Sequence, residues 1–338
     1  MKKVFDAIKL VLRFHKKKIL FLFGSIAFCF VVLFPYDDLS DLITQKISVA
    51  TSNNVYIQFD QLSFGLLPQL GLKMSNVVVE SIFAPTLAVK TLGFAPSITS
   101  LLFKTPGGKL KAYGLFGGDA VVSIGRSNEL DINTTEYGID VEIEDIDLKQ
   151  LTKFLKSSYN LPMTASGSSQ IESSLHLDPS FKEQPKGDFE IELKDVKIPS
   201  FILTFNMPTE GGMGVPINFP MPALTVSKIT LNGKIDDRKL IIKEGKIGDP
   251  KNDLHGEISG EFIVDIKKGF QVNRGGYDLK INLNVSDNLK RQLGTVLTFV
   301  DLYNSIGEKY KFDSLKGVRY SMRLSSRNAN SPPRVSSY

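Results

Sequence analysis

The chain has 338 residues, 42% of them apolar and 23% charged, with one cysteine, three histidines and no tryptophan. That suits one large domain or two ordinary ones, is too balanced for disorder, and leaves no cysteine pair for an internal disulfide framework. The net charge of +5 is concentrated at one end: seven basic residues and one acid precede residue 19, and removing that +6 leaves −1 on the rest. The body therefore lacks the basic footprint of a nucleic-acid binder.

The basic stub, 1–18, runs into sixteen uncharged residues at 19–34 (ILFLFGSIAFCFVVLF). A spanning helix takes about 20 apolar residues, and Phe14, Pro35 and Tyr36 extend the run while Lys16, Lys17 and Lys18 can snorkel along it. The pattern predicts a single transmembrane anchor over 19–36, carried by Ile19, Leu20, Phe21, Phe28, Phe30, Val31 and Phe34. Lys16–Lys18 before it and Asp37, Asp38 and Asp41 after it predict a cytoplasmic N-terminus and an exported remainder. A cleaved signal peptide is the competing reading, but Ser25 and Ala27 have the small-x-small spacing only in the middle of the apolar run. Phe28 likewise stands where a lipoprotein site at Cys29 needs a small residue.

Past the anchor, Leu39, Leu42, Ile43 and Ile47 recur at helical spacing, predicting a short amphipathic helix. From Val55 the period becomes two. Val55/Ile57/Phe59, Ala120/Val122/Ile124, Tyr137/Ile139/Val141/Ile143, Ile171/Ser173/Leu175/Leu177, Phe189/Ile191/Leu193 and Ile229/Leu231/Gly233/Ile235 alternate with polar residues. The longest run is Leu254/Gly256/Ile258/Gly260/Phe262/Val264/Ile266, followed by Tyr277/Leu279/Ile281/Leu283/Val285 and Val318/Tyr320/Met322/Leu324. Such alternation predicts antiparallel strands with one apolar and one wet face. Turns fall at Gly107-Gly108, Gly117-Gly118, Asp236-Asp237 and Gly275-Gly276. Asp147 is placed to cap a helix carrying Leu148, Leu151 and Leu155, and Ser286 one carrying Leu289, Leu293, Val296, Leu297 and Val300. Residues 327–338 read as a frayed tail, leaving 37–326 as one β-rich domain.

The expected fold is mainly β with a few helices (α+β), a large curved antiparallel sheet. A dozen strands at 4.7–4.9 Å make it nearly 60 Å wide, and two or three helices of about 10 Å each shield half of the apolar face. The rest must curl into a barrel or sandwich, take a partner, or hold lipid. Ile258, Phe262, Val264, Leu279, Ile281 and Leu283 are the predicted lining, and Gly256 and Gly260 on that parity favour strong curvature or close approach of another backbone.

Chemistry-bearing constellations are absent from the pattern. His176 and His255 fall on polar parities far apart and His15 lies in the stub, so the histidines read as solvated surface, with no metal and no cofactor expected. Asp140, Glu142 and Glu144 alternate as the wet face of a strand. Gly211-Gly212-Met213-Gly214 is followed by Pro216 and no helix, so no phosphate loop is formed, and no G-x-S-x-G elbow occurs. The expectation is a non-enzyme. Residues 206–223 combine Pro208, Pro216, Pro220 and Pro222 with apolar Ile217, Phe219 and Met221. Prolines at that density exclude a central strand and predict a loop that packs on its own domain or docks a partner.

The anchor ending in Phe34-Pro35, the stretch 62–70 (LSFGLLPQL), Val77–Glu80, Pro96–Leu102, Lys109–Ala120 and Gly317–Leu324 together resemble the type II secretion system protein N family of Gram-negative bacteria. Asp147–Ile198, with a short helix and two Gly-led strands, also resembles the wider AsmA-like group of periplasmic β-groove proteins. The resemblance implies a single-pass inner-membrane protein with its bulk in the periplasm, acting without catalysis in the type II (general) secretion pathway. Its implied partners are the inner membrane and other secretion components. The AsmA-like resemblance implies phospholipid handling as the alternative, and a purely structural envelope scaffold is a third reading. A sheet of about 60 Å is a short groove, which suits an accessory role better than a complete bridge between membranes.

Overall fold

The computed structural model describes, from residue 39 on, all positions except 66–70, 82–85, 98–99, 101–106, 127–136, 160–162, 179, 181, 208–214, 268–270, 295, 299–310, 315–316, 329–333 and 337–338; before residue 39 it describes 16–18, 21–22, 25 and 29. Ile19, Leu20, Phe28, Phe30, Val31 and Phe34 of the predicted anchor thus lie outside the described residues. Among the described residues no helix is long and apolar enough to cross a membrane.

Helix α1 (Ser40–Ala50) precedes strands β1 (Val55–Gln58), β2 (Gln61–Gly65), β3 (Gly71–Ser81), β4 (Leu87–Pro96), β5 (Gly108–Leu115), β6 (Gly118–Arg126) and β7 (Tyr137–Asp147). Helix α2 (Leu148–Tyr159) leads to β8 (Ser166–Leu177) and β9 (Lys186–Ile198), then to a hairpin of β10 (Phe201–Met207) and β11 (Val215–Met221). Next come β12 (Leu224–Asp236), β13 (Lys239–Ile247), β14 (Leu254–Lys267) and β15 (Gln271–Ser286), helix α3 (Asp287–Gln292), β16 (Lys311–Ser314), β17 (Gly317–Asn328) and β18 (Arg334–Ser336).

Fourteen strands pair in one line, β1-β3-β4-β5-β6-β7-β8-β9-β12-β13-β14-β15-β17-β16, with β2 added to β3 and β18 to β17. At the usual strand spacing the line is about 60 Å wide. Its two ends do not pair with each other among the described residues, so the sheet is open. Both long end strands are blunted: β1 and β2 share the free side of β3, and β16 and β18 share that of β17. Edge strands this short leave little template for another chain.

Register carries the alternation from strand to strand. Leu110, Val122, Val141, Ser173, Phe189, Gly233, Ile242, Gly260 and Leu279 stand opposite one another in succession. So do Ala112, Ala120, Ile143, Ile171, Ile191, Leu231, Gly245, Ile258 and Ile281 in the next row. These rows define an inner, apolar face. Bulges preserve it: the left-handed Asp145 (φ 55°) lets Ile146 follow Ile143 on the same side, and Asp195 (φ 51°) does so for Val196.

β7 ends where β8 begins, β9 where β12 begins and β15 where β17 begins, so α2, the β10–β11 hairpin and α3 all leave from one edge of the sheet. Both predicted caps form. The Asp147 carboxylate accepts from the Lys149 amide at 2.8 Å, and Ser286 Oγ accepts from the Leu289 amide at 3.1 Å. Thr152 Oγ donates to the Ala165 carbonyl and accepts from its amide, both at 3.0 Å, tying α2 to the start of β8.

Most of the buried residues form three clusters beneath these caps, with Ile242 and Leu279 buried separately on the inner rows. Leu62, Met74, Val77, Val89 and Leu92 pack with Leu39 and Ile43 at α1; Leu148, Val196 and Val226 pack at α2; Val285, Leu289, Leu293, Val318 and Tyr320 pack at α3. Inside the α2 end, Ser169 stands between Ile146 and Leu193, 3% exposed, and its hydroxyl has no hydrogen-bond partner among the described residues. An unpaired buried hydroxyl costs more than an apolar isostere, so Ser169→Ala is expected to stabilise the fold by about 1 kcal/mol and raise the apparent Tm by about 2 °C. A fall in Tm on calorimetry of the variant would instead assign that hydroxyl a bonded role.

Three expectations need correction. Residues 215–221 form a strand, because a two-stranded ribbon leaves one side of each strand bare. Pro216 and Pro220 share a parity, so both ring nitrogens point to the bare side and no ladder bond is lost. The tail is not wholly frayed: Arg334, Val335 and Ser336 pair with Ser325, Leu324 and Arg323. Leu42 is 48% exposed, since Leu39 and Ile43 make the packing face of α1.

Candidate functional site: the open inner face

Between the capped edge and the turns, no helix among the described residues lies above the inner rows of β5–β9 and β12–β15. Ile143, Val141, Ile171, Phe189, Ile191, Leu231, Ile258 and Ile281 are all only half-buried, and Phe94 and Ile124 are 39% and 40% exposed. An unshielded apolar strip across this many strands exceeds what single surface residues account for.

The predicted lining residues share the parity of this face. Ile258 and Ile281 oppose each other, as do Phe262 and Tyr277, whose ring centroids lie 6.0 Å apart; Leu279 is buried opposite Gly260, and Leu283 stands opposite Gly256. Val264 follows Phe262 by two positions and keeps its parity; the register shift between them, where Val264 pairs with Arg274, places the extra residue on β15, at Gly275-Gly276. At Gly256 and Gly260 an added Cβ would collide with the carbonyl oxygens of Asn282 and Asp278 on β15, and Gly260 has φ 140°. These glycines serve close approach of the neighbouring backbone.

The predicted apolar loop is split by the hairpin geometry. Phe219 is 5% exposed, and Met221 packs against the cluster under α3; Ile217 pairs with Phe205. The segment thus packs on its own domain through Phe219 and Met221. Phe189 and Gly233 form a feature that no sequence pattern announced: a Cβ at Gly233 would strike the Phe189 ring, which occupies the space over the glycine. Only cross-strand register brings the two together.

The outer face is polar. Glu142, Glu172 and Glu190 stand directly opposite one another, and with Asp140, Asp188 and Lys243 they line a depression of about 510 Å³. Farther along, the face is tied by ion pairs. Glu192 bridges Lys228 at 3.0 Å and Lys194 at 3.3 Å, and the Lys228 hydrogen bond leads in holding its carboxyl below the usual range. Arg323 grips Asp278 in a two-pronged pair and likewise holds that carboxyl low. In the β8–β9 turn, Asp178 accepts from the Ser180 hydroxyl and amide and from the Lys182 amide, which pulls it down to about 2.

His176 and His255 are half-buried rather than fully solvated, with Nδ1 atoms that are shielded and have no hydrogen bond among the described residues. They sit on separate strands, β8 and β14. Among the described residues no three His, Cys, Asp or Glu side chains are grouped to hold a metal ion. The inner face therefore offers apolar contact area and shape, the means of non-covalent binding of an extended apolar ligand. No family model, curated protein or solved structure matches the chain.

Proposed function

We propose that this protein is a non-enzymatic, inner-membrane component of the bacterial envelope whose periplasmic sheet receives the acyl chains of a phospholipid. The half-buried apolar rows of the inner face, uncovered between β5 and β15, carry this reading. An extended chain of about 16 carbons, roughly 20 Å, crosses about four strands at 4.7–4.9 Å spacing. Each CH₂ taken out of water there contributes about 0.8 kcal/mol, so one chain supplies ample driving force before ordering costs. The acyl chain then lies across the strands, along the width of the sheet.

The second reading is a component of the type II secretion pathway that contacts other machinery. The exposed side of the β10–β11 hairpin favours it, because Ile202 there is 64% exposed and offers a partner protein an apolar foothold. One experiment separates the two. A photoreactive phenylalanine analogue is placed at Ile281 or Ile191 inside, at Glu257 outside, or at Ile202, in the full chain in cells labelled with radioactive phosphate. Lipid adducts at Ile281 and Ile191 with none at Glu257 are expected. Equal labelling on both faces, or none inside, overturns the lipid reading, and secretion-component adducts from Ile202 support the second.

A further inference from the structure

Several lysines of the outer face are ion-paired, whereas others, among them Lys109 and Lys197, enter no ion pair among the described residues. Lys194, Lys228, Lys234, Lys239, Lys243 and Lys246 each pair with an acid at 3.3 Å or less. Lys73 and Lys111 enter no ion pair among the described residues. They are placed symmetrically: Lys73 on β3 and Lys111 on β5 both stand directly opposite Gly93 on β4. Thr91 and Tyr113, themselves opposite each other, line the same cleft of about 250 Å³, and Tyr113 is 41% exposed. The nearest acid in register, Asp119, lies opposite Tyr113 and accepts from the Gly114 amide at 3.1 Å.

Gly93 is the informative residue. Its φ is not in the left-handed region, and a Cβ built on it would meet nothing nearer than the Lys111 carbonyl at 3.9 Å. Neither backbone conformation nor packing requires a glycine there, and glycine weakens a strand interior. What its missing side chain provides is room between two ammonium groups. Two strand spacings set the lysine stems about 10 Å apart, a separation their flexible chains can close around one small anion.

We propose that Lys73, Lys111 and the space over Gly93 form a phosphate-binding cradle, with the Thr91 and Tyr113 hydroxyls completing the donor set. Two ammonium groups match a phosphomonoester dianion in charge, where a carboxylate brings a single negative charge. The cradle lies on the face opposite the apolar rows and does not depend on them. The phosphate belongs either to a lipid headgroup or to a soluble phosphate ester.

The full chain in micelles of an uncharged detergent is titrated with inorganic phosphate and, separately, with phosphatidic acid in mixed micelles, each followed by its ³¹P resonance. Saturable broadening is expected in at least one arm. Lys73→Gln with Lys111→Gln should weaken it about tenfold or more, and Gly93→Val should do the same with an unchanged thermal transition. Loss confined to the phosphatidic acid arm assigns a headgroup, and loss in the inorganic phosphate arm assigns a soluble ester. No saturable broadening in either arm, or a Gly93→Val protein that binds as the parent does, overturns the cradle.

Discussion

In the Val318→Asp variant the α3 end of the sheet is expected to come apart, with a loss of about 4 kcal/mol or more and α3 released from β15 and β17. Val318 is 1% exposed and lies among Val285, Leu289, Leu293 and Tyr320. The cluster around it supplies no cation among the described residues, and an unpaired buried charge is among the costliest single changes a fold can suffer. Hydrogen exchange of the full chain checks the prediction. Protection should collapse over 285–297 and 317–322 while persisting over β3–β5, whose cluster under α1 is separate. Uniform retention of protection would mean that α3 is not held by this cluster.

The second large effect is functional. Ile143→Glu combined with Ile191→Glu is expected to reduce inner-face lipid adducts at least about tenfold while lowering stability by only about 1–2 kcal/mol, because both positions are already half open and a glutamate stem can carry its charge to water. The two residues flank Ile171 in one row, so the pair interrupts the strip at its centre. Adduct yield at the Ile281 photoprobe, read beside the thermal transition, checks it. Undiminished adducts would remove the inner face as the lipid path.

The contrast between these variants restates the energetics of the sheet. An acid introduced on the same face of the same sheet unfolds one stretch and only disables another, because the helices concentrate burial at one edge. Most of the buried core lies under α1, α2 and α3, while the open rows, apart from residues such as Ile242 and Leu279, contribute contact area and little closure.

Much of the architecture was readable residue by residue. The period-two runs at Phe189/Ile191/Leu193 and Tyr277/Leu279/Ile281/Leu283 became β9 and β15 with the anticipated parity, and Asp147 and Ser286 capped α2 and α3 as their side-chain chemistry requires. The proline segment misled because a two-stranded ribbon tolerates prolines that a central strand does not. That tolerance is not visible in spacing along the chain, since it depends on the partner strand. The Lys73–Gly93–Lys111 arrangement was hidden for the same reason: its members are spread over 39 positions and meet only through two register relations.

Local patterning was therefore sufficient for strand identity, face and helix ends, all of which arise from backbone sterics and neighbours within a few residues. Openness of the sheet, the gathering of every cap at one edge and the uncovered strip between required long-range pairing. Those features follow from which strands meet and in what register, and that is settled by contacts between residues tens of positions apart.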